Sequence, residues 1–203
     1  MTKARRRLPR RFYARDSRAV APELLNKLLV HGPLVGRIIE VEAYAGAEDP
    51  GSHAYRGQTM RNATMFGPAG HLYVYFTYGM HYCANVVCGE AGVGTAVLLR
   101  AAAPLEGLDT MRARRLCARR DERDLCSGPA KLCQALGLDR SFDGADLVSG
   151  DRGVWIADDG VAPPVVPAAS RRIGLTAGAE LPWRFYVSGE PGLSRRSALG
   201  GRS

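Results

Sequence analysis

The chain has 203 residues, a formal net charge of +8 and 46% apolar residues. That length suits one globular domain able to bury a core without staples, and no apolar run is long enough to span a membrane. The charge excess favours a polyanionic partner, nucleic acid ahead of an acidic membrane.

The N-terminus, Thr2 to Arg11, is rich in arginine and has no acid. Arg15, Asp16 and Arg18 interrupt any apolar run that a secretion signal would need, so a cytoplasmic protein is expected. Residues 1–15 read as a basic disordered tail that adds non-specific attraction to phosphates. Pro22 with Leu24, Leu25, Leu28 and Leu29 at helical spacing predicts a short amphipathic helix ending near His31-Gly32-Pro33. A strand follows from about Val35 to Tyr44. Alternation puts Ile39 and Val41 on one face and Glu40, Glu42 and Tyr44 on the other. Two carboxylates on one face repel unless their surroundings differ, which is how a general base is tuned. The plain alternative is an edge strand with a solvated acidic face, and this segment by itself favours it.

Ala45 to Gly70 is a Gly-, Pro- and polar-rich loop, of a length that is usually functional. It carries His53, Arg56, Arg61 and Asn62, which either hold phosphates or face water. Next comes an aromatic hairpin: Leu72 to Thr77, a turn at Tyr78-Gly79-Met80, and a return strand from His81 to about Cys88. Tyr73 and Tyr82 read as cross-strand packing partners. Tyr78 at the tip has little to pack against and is a candidate wedge between bases. Thr95 to Ala103 is another apolar strand, in which Arg100 needs a buried acid or a water network.

Pro104 to Arg120 reads as a basic helix with Leu105, Leu108, Met111 and Leu116 inward. Ser127-Gly128-Pro129 predicts a helix start with Ser127 as cap, running to Gly137, with Lys131 near a possible anion site. Strands are expected at Val154-Trp155-Ile156 and from Trp183 to Ser188. Trp183, Phe185 and Val187 point to the core, and the chain from 190 to 203 reads as a flexible tail. Five cysteines, Cys83, Cys88, Cys117, Cys126 and Cys133, with no C-x-x-C pair, predict buried free thiols in a reducing compartment. Their spacing with the four histidines fits no standard zinc site, so neither metal nor cofactor is expected. The fold class is α+β: one domain over 16–189, a curved, mostly antiparallel sheet with packed helices and a protruding hairpin. Carboxylates, tyrosines, a histidine and arginines close together in a basic chain point to chemistry on a nucleobase.

Several stretches together resemble the alkyladenine (3-methyladenine) DNA glycosylases of the mammalian type, which also occur in bacteria. They are Glu40-Val41-Glu42-Ala43-Tyr44, Glu48-Asp49 with His53, Arg61-Asn62, and Met65-Phe66. They continue with Leu72-Tyr73-Val74-Tyr75, Tyr78-Gly79-Met80, Cys83 with Asn85, and Leu98-Leu99-Arg100. Pro104 to Gly107, Cys126 to Pro129 with Lys131-Leu132, and Arg184 to Val187 complete the set. The resemblance implies a monofunctional enzyme that flips alkylated or deaminated purines, of the 3-methyladenine, 7-methylguanine and hypoxanthine type, from duplex DNA. It hydrolyses the N-glycosidic bond with water to start base excision repair. Glu42 corresponds to the general base, and Arg100 and the backbone at Val187 to the groups that hold the water. Tyr44, His53, Tyr75, Asn85 and Leu98 correspond to the base pocket, with Tyr78 as the intercalating wedge. A monomer acting on damaged double-stranded DNA, in a bacterial cytoplasm, is the expectation. Two positions depart from the family pattern: Met60 stands where proline usually precedes Arg-Asn, and Ser170-Arg171 stands where Gly-Pro is common before Arg-Ile-Gly. The competing readings are a non-catalytic minor-groove binder and a hydrolase of small nucleosides.

Overall fold

The computed structural model describes residues 5–115 and 121–194. In chain order the elements are β1 (Arg6–Arg7), α1 (Arg10–Tyr13), α2 (Ser17–Leu24), β2 (Leu28–His31) and β3 (Leu34–Ala45). Then follow β4 (Leu72–Thr77), β5 (His81–Cys88), β6 (Thr95–Glu106), α3 (Leu108–Arg114), α4 (Pro129–Leu136), β7 (Val154–Asp158), β8 (Ala168–Ser170) and β9 (Arg184–Tyr186). All the strands join one curled antiparallel sheet in the order β1-β7-β2-β3-β6-β5-β4, with β8 and β9 attached beside β3. No helix among the described residues is long and apolar enough to cross a membrane.

The helices cover one face. Val20, Ala21 and Leu24 of α2, Met111 of α3, and Leu132 and Leu136 of α4 pack with Val41, Ala43, Val97, Leu99, Ala84 and Val86 of the sheet. These sheet residues alternate with those on the opposite face, where one row runs in register across four strands. Glu42 lies opposite Leu98, Leu98 opposite Asn85, and Asn85 opposite Tyr73. The β3–β6 ladder carries three register shifts: one skips Leu105 on β6, and two that compensate each other skip Ile39 on β3 and Arg100 on β6. Bulges of this kind re-aim side chains next to functional sites.

Several local expectations give way to long-range pairing. Leu28 and Leu29 are not helical: α2 stops at Leu24, Asn26 takes φ +65°, and β2 pairs with both β3 and β7. Two ladders outweigh four leucines at helical spacing. Pro22 lies late in α2, whose start is capped by Asp16 accepting from the Arg18 N–H. Glu40 and Glu42 do not form a solvated edge, because β3 is an inner strand flanked by β2, β9 and β6. Pro104 to Glu106 extends β6, leaving Leu105 exposed, and the helix is confined to α3. Leu116, Arg119 and Arg120 lie outside the described residues. Gly128, not Ser127, precedes α4; the Ser127 hydroxyl donates to Asp124, and Lys131 pairs with the same carboxylate.

Residues 5–15 are also not a loose tail. Tyr13 and Leu8 join the core, β1 pairs with β7, and Arg10 donates to Asp146. Arginine stems bring enough apolar surface to pack while their heads find acids. At the other end, contacts continue past 189 to Ser194, whose hydroxyl and N–H both reach Glu40. The hairpin, the strand at β7 and the packing of Trp183, Phe185 and Val187 on the core follow the sequence expectation. Cys83, Cys88, Cys126 and Cys133 are free and buried.

Candidate active site

The polar face of β3 ends in a cavity of about 210 Å³. Ligand pockets commonly span roughly 300–1,000 Å³, so this smaller space suits a single heterocycle better than a dinucleotide. It is lined by Tyr44 with the segment Ile173–Leu175, and by His53, Tyr73 and Tyr75. Asn85, Leu98 and Arg100 also line it, and Tyr78 stands at its rim.

Glu42 does not itself line the cavity but lies against residues that do. Its side chain has no solvent exposure, and each oxygen has a named donor. Oε2 accepts from the Tyr44 hydroxyl at 2.9 Å, and Oε1 accepts from the Ile173 N–H at 2.8 Å. Arg100 Nη1 lies 3.3 Å from Oε1. All three neighbours line the cavity, so the carboxylate sits directly behind its surface. Glu40, two residues earlier, is equally buried but faces elsewhere. It accepts from Arg100 Nε at 2.9 Å, Arg184 Nε at 2.7 Å and Ser194. Burial pushes the Glu40 pKa up, but the Arg184 hydrogen bond, the Arg100 charge and Ser194 outweigh it and hold Glu40 ionised. Burial likewise disfavours the Arg100 charge, and Glu42 and Glu40 more than restore it. Arg100 thus has the buried acids that its place in an apolar strand required, and the two glutamates do have different surroundings.

The aromatic walls are braced from behind. Tyr73 stacks on Tyr75 at 5.4 Å between centroids, and His53 meets Tyr75 edge-on at 4.5 Å. His53 Nδ1 is 3.2 Å from the Tyr73 hydroxyl. Burial, then the nearby Arg61 charge, pushes the His53 pKa below its ordinary value, which favours the neutral ring. Burial pushes the Tyr44 hydroxyl well up, aided by the Glu42 charge, so it donates rather than ionises. The Arg172 guanidinium lies 4.7 Å from the Tyr44 ring centroid and is paired with buried Asp49. Asn62 holds the His53 loop by donating to the carbonyls of His53 and Gly57 and accepting from the Thr59 N–H. It therefore neither binds phosphate nor faces water. Met60 is 96% exposed, outside this bracing.

The structure thus brings together Glu42, Tyr44, His53, Tyr75, Asn85, Leu98 and Arg100. Tyr78 sits 82% exposed at the hairpin tip, where it and Gly79 take φ +50° and +65°. Val187 is not brought to the cavity wall. It follows β9 beside the bulge, its N–H donates to the Ile39 carbonyl, and its own carbonyl accepts from the Glu190 N–H at 3.4 Å. The donor that does reach Glu42 is the Ile173 N–H, which the sequence reading missed, together with Tyr73 as a wall and Arg172, Arg184 and Ser194 as supports. Arg172-Ile173-Gly174 was visible only as a flanking motif; nothing local says that a backbone N–H there meets an acid 131 positions away.

Comparison with known proteins shows what the whole chain is similar to. The family model described as methylpurine-DNA glycosylase (MPG) matches residues 11–191. A Burkholderia lata protein is 58% identical over 183 residues, covering 90% of this chain and 88% of its own length. Relatives from Streptomyces avermitilis and Methanoculleus marisnigri are each 48% identical, covering 92% and 93% of this chain and 90% and 99% of their own lengths. All three carry the name "Putative 3-methyladenine DNA glycosylase". An aromatic cavity of one-base size with a buried carboxylate behind it, in a chain matched from residue 11 to 191, leads to one assignment: the protein belongs to the methylpurine-DNA glycosylase family, enzymes that act on DNA.

Proposed function

We propose that this enzyme extrudes alkylated or deaminated purines, of the 3-methyladenine, 7-methylguanine and hypoxanthine type, from duplex DNA and releases them by hydrolysis, acting as a monomer. The observation that carries the reading is Glu42: a carboxylate without solvent exposure, flanked by Tyr44, Arg100 and the Ile173 N–H behind an aromatic slot. Extrusion costs a few kcal/mol, least for a damaged, weakly paired base. Stacking returns roughly 1–3 kcal/mol per base, and Tyr44, Tyr75 and edge-on His53 supply the surfaces. A cationic methylpurine gains a further attraction to the ring faces.

In the chemical step the bond between C1′ and the purine nitrogen breaks, and its electron pair leaves with the base. A water oxygen bonds to C1′, and Glu42 takes the proton that this water gives up. The same carboxylate stabilises the positive charge that develops on the sugar. Arg100 holds the carboxylate in place and Tyr44 orients it. Base release through an amine nucleophile would need a lysine at the site. Among the described residues, Lys27 and Lys131 are engaged by Asp158 and Asp124 away from the cavity. A pure DNA-bending protein would have no use for a buried acid and guanidinium behind an aromatic slot.

The test is Glu42→Gln on duplexes containing 3-methyladenine or hypoxanthine. The variant should bind the lesion duplex with unchanged affinity and free at least a hundredfold less base, about the general-base contribution. Undiminished release would exclude Glu42 as the base.

A further inference from the structure

Arg100 lies between two buried carboxylates, with Nε on Glu40 and Nη1 toward Glu42. A guanidinium left alone with a carboxylate prefers two parallel N–H bonds. Such a fork would add two charged donors to Glu42 oxygens that already accept from Tyr44 and Ile173, leaving less capacity to take a proton from water. Three groups work against that outcome. Glu40 Oε1 accepts Arg100 Nε, Arg184 Nε and the Ser194 hydroxyl, and Oε2 accepts the Ser194 N–H. The Ser194 oxygen also accepts from Arg100 Nε at 3.3 Å and Nη2 at 3.0 Å. Ser194 therefore occupies the Nε–Nη2 edge of the guanidinium, the edge best shaped for a carboxylate, and Nη1 is the nitrogen nearest Glu42, 3.3 Å from Oε1. Arg184, in turn, donates from Nη1 to the Ser170 hydroxyl, at one of the two positions where this chain departs from the family pattern.

We propose that Ser194 is a positioning residue for base release: with Glu40 it holds one edge of Arg100, so that Glu42 meets a single guanidinium nitrogen and keeps its capacity as a base. This deepens the proposed roles of Glu42 and Arg100 and rests on them. Ser194 lies 94 positions from Arg100 in sequence and 152 from Glu42, and it does not line the cavity. Its effect must run through the guanidinium.

The experiment uses the full-length chain and a hypoxanthine duplex, with enzyme in excess so that one turnover reports the chemical step. Ser194→Ala keeps the backbone N–H to Glu40 and removes the hydroxyl. The single-turnover rate per folded enzyme should fall about tenfold, while lesion-duplex affinity stays within twofold. Ser194→Thr, which restores a hydroxyl, should recover most of the rate. A merely structural serine would lower the melting temperature and the folded fraction without changing the rate per folded molecule. A Ser194→Ala rate within twofold of the parent, or a loss confined to affinity, overturns the proposal. Glu42→Gln run alongside separates the two readings. If Glu42→Gln is inactive and Ser194→Ala is unimpaired, only the positioning role fails; if Glu42→Gln is active, the underlying mechanism fails.

Discussion

Asp49 and Arg172 form a pair that stability measurements can weigh. Both side chains are wholly buried, and the guanidinium meets the carboxylate through two bonds, of 2.5 and 2.6 Å. Arg172 also donates to the Ala43 and Gly178 carbonyls at 3.0 Å each. Asp49 accepts the N–H groups of Ala45 and Gly51. The Asp49→Asn variant keeps the shape but leaves the guanidinium charge uncompensated in the interior. Breaking one partner of a buried pair costs about 3–5 kcal/mol. For a chain of this size, each kcal/mol lowers Tm by about 2–4 °C, so the expected fall is about 6–20 °C. Circular dichroism melts and urea midpoints measure it. Because Arg172 lies against Tyr44 and Trp183, the variant should also loosen lesion binding. Arg172→Met and the double variant complete the cycle: the double should cost less than the sum, since the second change removes a group already left unpaired. An Asp49→Asn melt lowered by less than about 2 °C, or strict additivity, would show that the pair is not the buried clamp described.

Tyr78→Ser should leave Tm unchanged, because the ring is 82% exposed. It should weaken lesion-duplex binding by about tenfold, roughly one stacking contact; equal affinity for the two proteins would remove the wedge role. His53 is expected to titrate below its ordinary 6.5, because burial and then the Arg61 charge disfavour its protonated form. Its folded pKa is thus below its unfolded one, and the unfolded chain binds the proton more readily. Stability is therefore lost as pH falls from about 6.5 toward the folded value. His53→Gln should flatten that part of the urea midpoint against pH, and the imidazole resonance of the parent should show a midpoint under 6.5. A midpoint above 6.5 would place His53 outside a buried, cation-flanked setting.

The aromatic hairpin was legible because its causes are local: alternation from Leu72 to Thr77 and a glycine where the turn takes φ +65°. The same holds for the shared face of Glu42 and Tyr44, since a strand's period of two needs no partner to be read, whereas the bulge at Ile39 turns Glu40 elsewhere. The motifs spread from Glu40 to Val187 were specific enough to name the family that the matches then showed. Whether that acidic face met water was not local information. Burial of β3 depends on β2, β9 and β6 arriving on its two edges, and the same arrivals turned Leu28 and Leu29 from helix into strand.

Only the tertiary structure decided which groups meet Glu40 and Glu42. The Ile173 N–H, the Ser194 hydroxyl and the Arg184 guanidinium come from segments more than 100 residues beyond Glu40, and skipped register at Arg100 points that side chain between two acids. Sequence by itself determined the chemistry available, namely carboxylate, guanidinium and phenol rings on neighbouring strands. The fold determined the arrangement, because buried charges must find partners wherever the chain places them, and separation in sequence sets no limit on that search.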